Sequence, residues 1–344
     1  MFHRYLKEII RDKFFQEKAI IIAGARQTGK TTLGLELIDE MAPNKTIKIF
    51  NCDNPTDREL LSEKDLEFLR QLVEGYDIIL IDEGQKVASI GQTLKLLVDS
   101  YKTKKQFIVT GSSSFNLLDS TSEALTGRKF VYELYPLSVE EIYGQDQATL
   151  SKELETLLIY GSYPDIVNKK SFNDKRELLQ ELASSYLYQD ILEFQQVKNP
   201  EILRSLLKAL ALQIGSEVSY NELSRLLGID KKTIERYIDL LEKNFVIFRL
   251  SAYTKNKRRE ISKLKKIYFY DLGIRNSLIN NFNLLDSRAD TGALFENFLI
   301  SERLKYRAYH QIYADQYFWR TYDGSEVDLV EERDGQLFGY EFKW

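Results

Sequence analysis

The sequence is poor in the residues that most often carry hydrolytic or metal chemistry. It has one cysteine, Cys52, and two histidines, His3 and His310. A single cysteine forms no disulfide within the chain, which fits a reducing compartment. Two histidines this far apart argue against a Ser-His-Asp triad and against a Cys/His zinc site. Cys52 reads as a small buried residue rather than a nucleophile, since no histidine lies near it in sequence. There is no apolar run long enough to cross a bilayer, and Met1-Phe2-His3-Arg4-Tyr5 has no signal-peptide core. A cytoplasmic protein without a membrane partner is therefore expected. Repeats and low-complexity segments are also lacking. The formal net charge is -4, so nothing global demands nucleic acid, and such a contact must rest on a local basic patch.

What is present is a strong phosphate-binding signature. Gly24-Ala25-Arg26-Gln27-Thr28-Gly29-Lys30-Thr31, followed by Thr32, fits G-x-x-x-x-G-K-[ST] at each fixed position. The apolar run Ala19 to Ala23 before it reads as a buried strand. Leu33, Leu37 and Ile38 after it fall at helical spacing. Glycines let backbone N–H groups turn in on phosphate oxygens, and the helix N-terminus adds partial positive charge. Lys30 is expected at the β and γ phosphates of ATP, and the Thr31 hydroxyl on Mg²⁺.

At 344 residues two or three domains are expected. A helix is expected over Tyr5 to Phe15 and a strand over Thr46 to Phe50. Asp77-Ile78-Ile79-Leu80-Ile81-Asp82-Glu83 ends an apolar strand in two carboxylates, as a Walker B element does. Asp82 belongs in the Mg²⁺ shell, and Glu83 is placed to deprotonate the attacking water. Gln106 to Ser112 is a further strand ending in small polar residues, of which Ser112 or Thr110 would sense the γ-phosphate. Phe130 to Leu134 is the expected fifth strand. Arg128, just before it, either reaches a γ-phosphate, in cis or from a neighbouring subunit, or is a surface arginine.

These stretches, with Thr110-Gly111-Ser112, Gly127-Arg128 and Tyr135-Pro136-Leu137-Ser138, resemble the AAA+-like ATPases of the archaeal and bacterial "ATP-binding protein" group. The resemblance implies a parallel sheet, the extra glutamate after Walker B, and ATP hydrolysis. It extends over nearly the whole chain, because the remainder is similar to the domain that habitually follows this ATPase. Tyr186-Leu187-Tyr188-Gln189-Asp190-Ile191 and Ile267-Tyr268-Phe269-Tyr270-Asp271-Leu272-Gly273 share in it. Asp190 has no evident chemical role and reads as a helix-surface or interface residue.

Leu150 to Ile214 has an amphipathic helical pattern, broken at Tyr160-Gly161-Ser162-Tyr163-Pro164. Ser219-Tyr220-Asn221-Glu222 has the form of a capping box, and Asp230 can cap a helix from Lys231 to about Asn244. With the strand Phe245 to Phe248 this makes a helix-turn-helix and wing. Lys231, Lys232 and Arg236 lie where DNA-reading side chains would sit. The 255–266 wing carries Lys255, Lys257, Arg258, Arg259, Lys263, Lys265 and Lys266 against Glu260 alone. It is either a surface for double-stranded DNA or the hairpin of a packing module that contacts protein.

At the C-terminal end, a helix from Thr291 to Leu304 carries Glu296. Strands over Tyr317 to Tyr322, Glu326 to Glu331 and Leu337 to Lys343 turn at Asp323-Gly324 and Asp334-Gly335. Helix-Glu, strand-Asp, then Glu-x-Lys is the order of a PD-(D/E)XK nuclease core. Residues two apart share a strand face, so Glu341 and Lys343 would point one way. Asp328 and Glu341 would bind Mg²⁺ or Mn²⁺, Lys343 would assist, and Glu296 would be an accessory acid. Such residues are also common on solvated hairpin faces. The core should continue past Trp344 with a helix and a strand, so this domain is expected to be incomplete.

The expected fold is α/β: a P-loop ASCE or AAA+-like parallel sheet in residues 1–145, a helical segment in 146–215, a winged helix in 216–272 and a restriction-endonuclease-like domain in 273–344. The expected function is an ATPase whose nucleotide state is coupled to a module that binds DNA. The alternative is a non-cleaving, nucleotide-controlled switch for protein partners.

Overall fold

The computed structural model describes residues 2–112, 125–186, 199–254, 265–321 and 324–344. Leu187 to Ile191 with Asp190, the wing residues Lys255, Lys257, Arg258, Arg259 and Lys263, and the turn residue Asp323 lie outside the described residues. The chain forms two compact units, Met1–Tyr135 and Pro136–Trp344.

The first unit is a five-stranded sheet of β1 (Ala19–Ala23), β2 (Ile47–Asn51), β3 (Ile78–Asp82), β4 (Gln106–Gly111) and β5 (Lys129–Glu133). Its order is β2-β3-β4-β1-β5, with each neighbouring pair parallel. Helices α1 (Tyr5–Arg11), α2 (Lys30–Met41), α3 (Pro55–Leu61), α4 (Leu66–Val73) and α5 (Ile90–Tyr101) connect or flank the strands. Strands covered on both faces read as unbroken apolar runs. Accordingly Ala19 to Ala23 and Ile78 to Ile81 are buried at every position. Ile21, Ile79, Ile81, Phe107 and Val109 pack with Leu69, Val73, Leu94 and Leu97 in one core. Gly34 on α2 faces Leu80 of β3, where a Cβ would make only ordinary contact at 3.4 Å. The first helix stops at Arg11, short of the expected Phe15, which has a positive φ of 55°.

The second unit begins with α6 (Val139–Tyr143), α7 (Gln147–Tyr160), α8 (Pro164–Asn168), α9 (Phe172–Glu181) and α10 (Pro200–Leu212). It continues through β6 (Glu217–Val218), α11 (Tyr220–Leu227), α12 (Lys231–Lys243), β7 (Ile247–Ala252), β8 (Lys265–Phe269) and α13 (Leu272–Leu278). It ends with α14 (Thr291–Tyr309), β9 (Asp315–Arg320), β10 (Glu326–Arg333) and β11 (Gln336–Tyr340). Asp230 caps α12, accepting from the Thr233 N–H at 2.9 Å. Ser219 accepts from the Glu222 N–H at 3.4 Å. The complete reciprocal capping box lies elsewhere, at Ser138 and Glu141.

The two compact units divide after Tyr135, and residues 137–139 are tied to α14. The Val139 N–H donates to Glu302 at 2.8 Å, and Lys305 Nζ donates to the Leu137 carbonyl at 3.0 Å. The segment from β6 to β8 and the C-terminal strands lie in one compact unit. They share one six-stranded sheet, β11-β10-β9-β7-β8-β6, in which β7 and β9 pair in parallel at Ser251–Tyr317 and Ala252–Phe318. Asn297 on α14 fastens the helix to this sheet by clamping both backbone groups of Phe269 at 2.8 Å.

Candidate active site

Parallel topology brings the C-terminal ends of β1, β3 and β4 to one edge, where Ala23 is in register with Gly111. The phosphate loop leaves β1 at this edge. Gly24 donates its N–H to the Gly111 carbonyl at 3.2 Å. Gln27 and Gly29 take positive φ, at 58° and 93°. The Ala25 carbonyl accepts from Thr28 Oγ1 and from Lys30 Nζ, each at 2.8 Å, so the loop is braced from within. Thr28 and Lys30 are buried, Arg26 and Gln27 half-buried, and Thr32 exposed. The first helical bond runs from the Leu33 N–H to the Gly29 carbonyl. First-turn N–H groups have no intrahelical acceptor and suit a phosphate.

The Walker B carboxylates are held by threonines. Asp82 Oδ1 accepts from Thr31 Oγ1 at 2.7 Å and also from the Thr110 hydroxyl. The Glu83 N–H in turn donates to Thr110 Oγ1 at 3.2 Å. Glu83 has a left-handed backbone, φ 54° and ψ 42°, a conformation that costs a non-glycine residue energy and gathers at functional sites. Gln85, which sequence reasoning passed over, lies between Glu83 and Ser112. Its Nε2 donates to Glu83 Oε2 and to Ser112 Oγ, the latter at 2.8 Å. The only sequence signal was its place two residues after the Walker B glutamate.

Donor chemistry at this edge fits a nucleoside triphosphate with Mg²⁺. Thr31 and Asp82 would hold the metal, and the loop with Lys30 would hold phosphate. Cys52 is fully buried, and burial pushes its thiol up to about 12, which excludes a thiolate role.

Arg128 directly precedes β5. Its carbonyl accepts from the Ala19 N–H at the start of β1, whereas the phosphate loop follows the end of that strand. Five strand residues separate them, roughly 16 Å. Its side chain pairs with Asp99. Within its own chain Arg128 therefore does not reach the γ-phosphate.

Strand β11 ends at Tyr340, so Glu341 and Lys343 lie beyond it, exposed, and pair with each other at 2.8 Å. Asp328 accepts from the Phe342 N–H at 2.7 Å. Glu296 faces inward and accepts from Lys266 Nζ at 3.0 Å and from the Tyr268 hydroxyl at 2.6 Å. Burial raises the Glu296 carboxyl above its usual range against the pull of Lys266 and Tyr268. Among the described residues no group of three or more His, Cys, Asp or Glu side chains could hold a metal. Asp328 lies within electrostatic reach of both Glu296 and Lys343, while Glu341 is held by Lys343.

Lys266 itself, expected in a DNA-contacting wing, is 3% exposed and pairs with both Glu296 and Glu326. Burial pulls its ammonium down, but the two carboxylates outweigh burial and hold it above the usual lysine range. Lys231, Lys232 and Arg236 are exposed at the start of α12.

The sheet order and loop define the first unit as a P-loop NTPase fold. Residues 16–143 match the family model described as an AAA domain. Residues 151–285 and 291–344 match models described as domains of unknown function, DUF8612 and DUF4143.

It is similar to the uncharacterized protein Rv2008c of Mycobacterium tuberculosis, 28% identical over 97% of this chain and 72% of that protein. An uncharacterized protein of Haemophilus influenzae is 25% identical, over 97% of this chain and 84% of the relative. MJ1544 of Methanocaldococcus jannaschii is 26% identical, over 94% and 75%. A solved structure of the Thermotoga maritima RuvB Holliday junction branch migration motor aligns with 16% identity and a TM-score of 0.36, over 76% of this chain and 95% of that one. Among the described residues no helix is long and apolar enough to cross a membrane.

Proposed function

We propose that the first unit binds ATP with Mg²⁺ and hydrolyses it in the cytoplasm, and that its nucleotide state switches the second unit. The observation that carries this reading is the set of three contacts joining Thr31 to Asp82 and Thr110 to both Walker B residues. Lys30 and the loop amides bind and orient the triphosphate. Bound Mg²⁺ supplies charge neutralisation on the phosphate oxygens. Glu83 takes the proton from the attacking water, and Ser112 donates its hydroxyl to the γ-phosphate.

For the second unit, exposed Lys231, Lys232 and Arg236 at the head of α12 favour contact with double-stranded DNA. The burial of Lys266 between two glutamates favours the second reading, a nucleotide-controlled switch for a protein partner.

The test is steady-state ATP hydrolysis with Mg²⁺, with and without double-stranded DNA at modest salt, using Lys30→Ala as the blank. Turnover that survives Lys30→Ala would sink the nucleotide assignment. Stimulation by DNA, lost in a Lys231→Ala, Lys232→Ala, Arg236→Ala variant, supports the DNA reading. Hydrolysis indifferent to DNA supports the protein switch.

A further inference from the structure

Gln85 follows β3 in a short turn and is 6% exposed. Both hydrogens of its amide nitrogen are used, one on Glu83 Oε2 and one on Ser112 Oγ at 2.8 Å. The amide cannot be turned over without setting its oxygen against the Glu83 carboxylate, so the donors face this way for an electrostatic reason. Its own carbonyl oxygen, Oε1, is buried and has no partner among the described residues. A buried acceptor in that condition costs the fold stability. The side chain is therefore a poor choice for packing, and its value lies in what its two donors do.

We infer that Gln85 is a positioning residue for hydrolysis: its amide ties the Glu83 carboxylate to the Ser112 hydroxyl, so that base and phosphate donor are set together. With Oε2 engaged, Glu83 keeps Oε1 for the water proton. Because Ser112 Oγ accepts from Gln85, its own hydrogen is directed away from Gln85 and remains to be donated to a phosphate oxygen. The strained backbone at Glu83 and the bond from its N–H to Thr110 fix the same carboxylate from the other side. Gln85 touches no reacting atom and acts only through its two neighbours. This inference rests on the ATPase reading of the site.

The test compares wild type with Gln85→Met in ATP turnover and ATP titration on the full chain. Methionine keeps the length and removes both donors along with the unpaired acceptor. Turnover should fall roughly ten- to a hundredfold. ATP affinity should stay within about threefold, because the loop and Lys30 are untouched. The melting temperature should hold or rise. In a Glu83→Gln background, Gln85→Met should cost less turnover than it does in wild type. If Gln85→Met does not fold, Gln85→Asn keeps the amide but withdraws it by one methylene, and it should lower kcat with KM unchanged. Turnover unchanged in either folded variant, or a loss that appears in KM alone, overturns the inference and leaves the ATPase reading standing. A wild-type protein that binds ATP but does not turn it over overturns both.

Discussion

Gly24 lies so close to Leu134 that a Cβ built on it would sit 2.2 Å from the Leu134 carbonyl oxygen. The same two strands are joined by the Leu134 N–H to the Ala23 carbonyl at 2.7 Å. The first glycine of the phosphate loop is therefore required by the neighbouring strand β5 as well as by phosphate. Gly24→Ala should push the loop off β5, destabilise the first unit by about 1–3 kcal/mol and weaken ATP binding along with it. Thermal unfolding and ATP titration of the variant check this; wild-type values in both would show that the backbone relaxes at no cost.

Glu83→Gln keeps the shape of the base and removes its basicity. ATP binding should persist while turnover drops at least ~10²-fold. Single-turnover measurement separates this from slow product release. Unchanged turnover would put the base elsewhere.

Asp290 accepts from Arg275 at 2.6 Å and from Arg288 at 2.8 Å. Burial pushes its carboxyl up, but the two guanidiniums outweigh burial and hold it at about 2. A carboxyl with a depressed folded pKa stabilises above its unfolded value, and that stability is lost as pH falls through the folded value. Asp290→Asn should therefore cost on the order of 2 kcal/mol at neutral pH. The gap to wild type should close between the unfolded value of 3.8 and about 2. Urea unfolding of both proteins across that range is the measurement, and a constant gap would contradict the assignment.

Lys266→Ala would leave Glu296 and Glu326 without the cation they share. Loss of one partner from a buried ion cluster costs roughly 3–5 kcal/mol. The loss should shrink at acidic pH, because burial raises the Glu296 carboxyl and lets it take a proton there. The wild-type contribution runs the other way at alkaline pH: the raised Lys266 pKa makes it full below the unfolded lysine value and lost above the folded one. Chemical denaturation at acidic and neutral pH tests the first part. Equal destabilisation at both would mean that lost packing dominates. DNA affinity of the folded variant, measured at acidic pH, should match wild type, since a buried lysine offers phosphate nothing.

Much of the first unit was legible in the chain. A parallel strand buried on both faces must be apolar throughout, so Ala19 to Ala23 and Ile78 to Ile81 announce themselves, and the glycine loop allows few alternatives. Local capping chemistry at Asp230 was equally readable, because it involves residues three apart. What the amino-acid order by itself determined is the set of local elements and the identity of the phosphate loop. Tertiary structure alone decided which long-range partners meet. The sharing of one sheet by β7 and β9, the recruitment of Lys266 by Glu296, the distance of Arg128 from the loop and the bridge through Gln85 all depend on pairings between residues 27 or more positions apart in sequence. Local periodicity carries no information about such pairings. Charge count identified a basic wing, but only burial decided that Lys266 neutralises two internal acids. A charge buried beside opposite charges is bound by desolvation and Coulomb attraction to its neighbours and is withdrawn from any external partner.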